Sequence, residues 1–277
     1  MTDISSADIG NGAPGTRSAD VKASHAGFLK DLISVATRAL RQIPREPEAI
    51  IPALIIPVFF FVVNVGALGD IADRTGVGDF KAFQLPVAII FAVTGVSRAS
   101  ALVTDITGGY FDRLLLTPIN RLALLLGLMI ADFALVVALS IPVLILGFIV
   151  GVGFTTGLPG LLLFLLLAGA WGLAFTGFPY AIALKTGNPA AVNSSFILFF
   201  PFAFLTTTFL PQEALTGWLS TIADYNPVTY LLEALRSLIS EGWSAGPLLR
   251  GVGAIGIVAT VSFTLAMTAL KGRVSRG

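Results

Sequence analysis

From Leu122 to Val150 the chain is almost unbroken aliphatic and aromatic sequence, and Asp132 is its one charged side chain. Further runs at about 49–68, 84–103, 159–183, 190–210 and 248–270 are comparably apolar. A helix needs ~18–20 apolar residues to cross the hydrocarbon core of a bilayer, and these runs match or exceed that length. Strands of a transmembrane barrel alternate apolar and polar residues over ~10 positions; these runs do not alternate. Charged residues make up 12% of the chain, against about 25% in a soluble domain. The fold class is therefore all-α: a polytopic membrane protein whose six transmembrane helices occupy 48–270.

The segments around these runs have their own character. Residues 1–25, rich in Ser, Asp, Gly and Ala, predict a disordered tail. Within 26–47, Phe28, Leu29, Leu32, Ile33, Ala36, Ala39, Leu40 and Ile43 recur at helical spacing, with Lys30, Asp31, Thr37, Arg38 and Arg41 opposite. This pattern predicts an amphipathic interfacial helix with Lys30, Arg38 and Arg41 among anionic lipid heads, ended by Pro44 and Pro47. The third run exceeds a bilayer's thickness and must tilt, bend at Pro142 or project beyond it. Residues 211–246 are too polar to span. They predict two short re-entrant helices, about 212–223 and 227–241, with Asn226 as N-cap and Pro227 at the first helical position. Residues 271–277 form a second tail.

Six spans put both termini on one side. With the termini and the loops 98–121 and 185–189 inside, only Arg74, Lys81, Arg236 and Arg250 of the 17 Lys and Arg lie outside. Cationic loops stay on the cytoplasmic side, so both termini are expected in the cytoplasm and 211–246 outside.

Little chemistry of catalysis is written here. The chain has no Cys and one His, His25, which excludes disulfides, thiol chemistry and Cys- or His-rich metal sites. No GxxxxGK[ST], HExxH or GxSxG motif occurs. Neither a cofactor in this chain nor a nucleic-acid partner is expected. Gly251–Gly256 fits GxGxxG, but it lies in an apolar run with no strand before it. Its small residues, like Gly147 and Gly151, point to close helix approach. A lipid-modifying enzyme would need a cluster of His, Asp or Glu that is absent.

Asp132 lies near mid-membrane, where a carboxylate costs ~2.5–3.5 kcal/mol unless paired or protonated. It is either a proton or substrate site, which would make the chain a proton-coupled transporter, or a carboxyl hydrogen-bonded within the bundle. One acid is thin support for secondary transport, and a bundle with no energy source of its own needs a partner that supplies it. The largest cytoplasmic element between spans is 98–121, RASALVTDITGGYFDRLLLTPINR. It predicts a short amphipathic helix that docks such a partner.

Two segments point further. One is Gly109-Tyr110-Phe111-Asp112-Arg113-Leu114, then Leu116-Thr117-Pro118-Ile119-Asn120-Arg121. The other is Tyr225-Asn226-Pro227-Val228-Thr229-Tyr230, followed by Glu233-Ala234-Leu235-Arg236. In their order and spacing, over about 28–270, the chain resembles the integral-membrane subunit of ABC-2 type exporters, particularly daunorubicin-resistance-type drug and lipid permeases of actinobacteria. The resemblance implies a non-catalytic, multi-pass permease of a bacterial plasma membrane. Two permeases, identical or homologous, would pair with two P-loop ATPase subunits that hold the ATP and Mg. The cargo would be an amphipathic drug or lipid, exported from the cytoplasm or inner leaflet, and the outcome antibiotic resistance. A coupling helix at about 105–118 would seat Gly108, Gly109, Tyr110, Phe111, Asp112, Arg113, Leu114 and Pro118 at the ATPase. Asp112 and Arg113 would touch it, with Phe111 and Leu114 packed inward. The first, second and fifth spans would line the path, making Phe196, Phe199, Phe200 and Phe204 its apolar wall, and the external helices would cover the exit.

Overall fold

The computed structural model describes residues 27–45, 47–74, 78–115 and 121–274; the 1–25 tail and Pro118 lie outside them. Regular structure among the described residues is entirely helical. Helix α1 (Phe28–Gln42) buries Val35, Ala36 and Ala39 against the helix that begins at Arg121, where Gly127 makes room for Val35. A second stripe, Leu29 and Ile33, stays exposed, as an interfacial helix requires. Helix α2 (Pro47–Arg74) continues through Pro52 and Pro57. It packs mainly on the following helix and leaves Ile51, Ile55, Phe59 and Val62 exposed.

The second apolar run does not form one helix. Asp79 starts α3 (Phe80–Thr94), its carboxylate accepting from the Lys81 and Ala82 N–H groups. The chain leaves the helix at Gly95 and resumes as α4 (Ala99–Thr107), so the expected span 84–103 is interrupted over 95–98. Gly108 and Gly109 then separate α4 from α5 (Tyr110–Leu115). The single coupling helix expected at about 105–118 is thus two helices with a glycine corner. Gly109 has φ +69°, a backbone that only glycine adopts at little cost.

Helices α6 (Arg121–Ile149) and α7 (Gly157–Thr186) occupy the third and fourth runs, α6 passing through Pro142. The fifth run is shorter than expected. It forms α8 (Pro189–Ser195), one tight turn, and α9 (Phe199–Phe204), and stops six residues before 210. The reason is long-range: Arg236 and Gln84 take the carbonyls of Thr207 and Thr208 and hold the chain beyond α9 out of a helix. The segment 211–246 forms α10 (Gly217–Tyr225) and α11 (Pro227–Arg236), the latter running into a wider, π-type turn through Glu241. Helix α12 (Ala245–Val274) closes the bundle along α7 and α11. By length and composition, α2, the α3–α4 pair, α6, α7 and α12 can each cross a bilayer.

Two apolar cores divide the bundle by depth. The one at the α1 end of the bundle, termed inner, joins α1, α4, α5 and one end of α6, α7 and α12 around Leu102, Phe111, Met129 and Tyr180. The outer one joins α3 and α11 to the other ends of α6 and α7 around Leu85, Ile89, Phe164 and Leu231. Small residues set the closest crossings. On α12, Gly251 faces Ala234 of α11, while a side chain at Gly253 or Gly256 would meet open space. On α6, Gly147 admits Leu85. A Cβ on Gly177 of α7 would lie 2.6 Å from the Ser262 backbone of α12, where the buried Ser262 hydroxyl also donates to the Ala174 carbonyl. Gly177→Ala is therefore expected to cost about 1–3 kcal/mol by overpacking, and Gly256→Ala less than about 0.5 kcal/mol, read as thermal unfolding of the purified protein. Equal effects at the two sites would remove the crossing from the account.

Candidate functional site

The inner end is built around Arg38 on α1. Its guanidinium donates to both carboxylate oxygens of Asp105 near the end of α4, at 3.0 and 3.3 Å, and lies 4.2 Å from the centroid of the Tyr110 ring at the start of α5. One cation thereby holds both arms of the glycine corner, by a charge-assisted contact from one guanidinium nitrogen and a cation–π contact. Phe111 is buried in the inner core, with the Arg273 guanidinium of α12 6.0 Å from its ring centroid. Tyr110 and Arg113 are exposed, as are Lys30 and Arg41 on α1. Asp112 and Leu114 have their backbone in α5; their side chains, and Pro118, lie outside the described residues. The corner itself is tight: a Cβ on Gly108 would come within 3.1 Å of the Thr104 carbonyl oxygen.

Asp132 is fully buried on α6 and sits at the interruption of the second run. One carboxylate oxygen accepts from the Arg98 backbone N–H at 2.8 Å, where α4 begins, and so serves as a cap supplied by another helix. The Arg98 guanidinium, also buried, donates to Gln42 of α1 at 3.0 Å. Tyr180 of α7 and Ser97 complete the neighbourhood. Through the Arg98 N–H this carboxylate ties α6 to the start of α4, beside Tyr180 of α7.

The phenylalanines form a seam linking α2, α3 and α9. Phe91 of α3 lies 5.8 Å from Phe199, 6.0 Å from Phe200 and 5.8 Å from Phe204 by ring centroids, and 5.1 Å from Phe60 of α2. Phe199 is buried and also packs on Phe175 of α7. Phe196 is half-buried against the outer core, whereas Phe200 and Phe204 are exposed along one edge. The arrangement gives a continuous aromatic surface with an open side, chemically suited to an amphiphile's apolar body.

The outer end is tied by polar groups in the segment after α9. Asn226 caps α11 through the Val228 N–H and donates to the Phe202 and Leu205 carbonyls at 2.6 and 2.8 Å; Pro227 follows it at the helix start. Thr206 and Thr229 share a hydroxyl contact of 2.6 Å. Arg236 is the centre of this layer. It donates to the Phe83 carbonyl, the Thr207 hydroxyl and the Thr207 carbonyl at 3.1, 3.0 and 2.7 Å, and its guanidinium lies 3.4 Å from the Phe83 ring centroid. Burial pushes this guanidinium down to about 9, with Glu233 pulling it back up, so it remains a cation at neutral pH. Burial likewise pushes the Glu233 carboxyl up, against the pull of Arg250 and Arg236. The roles of Arg98, Arg236 and Thr206–Thr208 are not visible in sequence periodicity. Their only signal is polarity inside apolar stretches.

The family model described as ABC-2 type transporter matches residues 30–239. The "Daunorubicin resistance ABC transporter permease protein DrrB1" of Streptomyces coeruleorubidus is 29% identical over 240 residues, covering 82% of this chain and 83% of that protein. The "Probable doxorubicin resistance ABC transporter permease protein DrrC" of Mycobacterium tuberculosis is 23% identical over 225 residues, covering 80% of this chain and 81% of that protein.

Proposed function

The chain belongs to the ABC-2 type transporter family, and from that premise we propose that it is the membrane permease of an ATP-driven exporter for an amphipathic drug or lipid. ATP and Mg are held by a separate P-loop ATPase subunit. Two ATPases serve two permeases, the second permease being another copy of this chain or a homologue. The termini and the α4–α5 corner lie in the cytoplasm of a bacterial cell and α10–α11 lies outside.

The observation that most supports this reading is the α4–α5 corner. An exposed face, with Tyr110 and Arg113, is carried on a short helix whose opposite face buries Phe111 in the bundle. Arg38 clamps the corner to α1. A partner that grips α5 would therefore displace α1, α4 and the inner ends of α6 and α7 together. Closure of two ATPases on ATP would drive this displacement, and the aromatic seam of α2, α3 and α9 would be exposed first inward and then outward. Asp112, next to Arg113 in sequence, is assigned to the same ATPase contact.

Asp112→Ala/Arg113→Ala is expected to lower both substrate-stimulated ATPase activity and recovery of the complex by roughly tenfold or more, as loss of a charged anchor does at an interface centre. The measurement is co-purification with the ATPase subunit in mild detergent, followed by ATP hydrolysis. Normal recovery and coupling would remove α5 from the interface.

A further inference from the structure

A cavity of about 790 Å³ opens between α7, the α8–α9 arm and α12. Phe175, Phe178, Phe202 and Leu265 line its length, and Lys185 and Arg273 stand at one end. Along α7 the ten residues from Phe175 to Lys185 rise about 15 Å, half of a hydrocarbon core of ~30 Å. The slot thus has the depth of a single leaflet and a cationic end at headgroup level. Lys185 and Arg273 each lie in the last turn of their helices, where cations also offset the terminal carbonyls. Water gains too few polar partners between phenylalanines to fill such a space, whereas a hydrocarbon chain fits its walls.

We propose that this cavity is a binding site for an anionic phospholipid, its headgroup on Lys185 and Arg273 and an acyl chain between α9 and α12. It is separate from the aromatic seam of Phe91, Phe200 and Phe204, which faces α2 and α3. A lipid here fills the gap between the broken α8–α9 arm and α12 and sets how far that arm can move. With the orientation proposed above, the leaflet is the inner one. Binding itself does not depend on that orientation or on an ATPase, so failure of the test below would leave the exporter reading untouched.

The test is lipid retention by the full chain. The protein is reconstituted in nanodiscs of phosphatidylcholine with and without phosphatidylglycerol, extracted in mild detergent, and weighed intact by native mass spectrometry. The wild type is expected to retain phosphatidylglycerol in preference to phosphatidylcholine. Lys185→Gln/Arg273→Gln should weaken that retention about thirtyfold, the effect of two cations beside an anionic headgroup. Lys185→Arg/Arg273→Lys should keep it. Ala181→Trp, which fills the slot and leaves both cations in place, should also lose it, and this separates occupancy from general surface charge. Equal retention of the two lipids, or retention unchanged in the glutamine and tryptophan variants, would overturn the proposal.

Discussion

Asp132→Leu is expected to destabilise the protein by about 3–5 kcal/mol, while Asp132→Asn costs about 1 kcal/mol and leaves transport running. The difference follows from what the carboxylate does. It accepts the first N–H of α4 from another helix and lies beside a buried guanidinium. Leucine leaves that N–H unanswered and removes the negative charge beside the guanidinium, and its more favourable insertion into lipid does not replace either. Asparagine retains an oxygen at the same position and can still cap α4. Thermal unfolding in detergent, with transport into proteoliposomes driven by ATP, reads both quantities. A well-folded Asp132→Asn protein that no longer transports would return the residue to proton chemistry.

Arg236→Ala is expected to have a comparable effect at the other end of the bundle, roughly 3–5 kcal/mol, from orphaned acceptors and a lost cation–π contact. Three acceptors on two different elements, Phe83 and Thr207, depend on this one side chain. The planar fork matters as much as the charge, so Arg236→Lys should recover less than half of the loss. Because Phe111 of α5 belongs to the inner core and Arg236 bonds Phe83 and Thr207 at the other end of the bundle, recovery with the ATPase subunit should persist under conditions where the variant remains folded. Measured stability within about 1 kcal/mol of wild type would show that the outer layer is held by apolar packing alone.

The apolar runs made the class of fold legible, since ~20 residues without charge have few other uses. Asn226-Pro227 made the start of α11 legible, because capping is local chemistry. The interruption of the second run was not. Gly95 and Arg98 lie inside an apolar stretch, and what stops the helix there is a carboxylate 34 residues away. The early end of α9 has the same origin: Arg236 reaches back 29 residues to Thr207 and 153 to Phe83. Long-range polar ties override local helix preference at both places, and no periodicity encodes them. One helix was expected through Gly108-Gly109, and the Arg38 clamp across the corner that replaces it joins positions 67 residues apart.

The break between α3 and α4 has a mechanical meaning. A push on α4 has no continuous shaft along which to reach α3, because the chain leaves the helix at Gly95 and resumes at Ala99. The thrust enters sideways instead, through Asp132 into α6 and through Arg98 and Gln42 into α1. The second membrane crossing is an articulated linkage, and its hinge pin is fixed to a neighbouring helix.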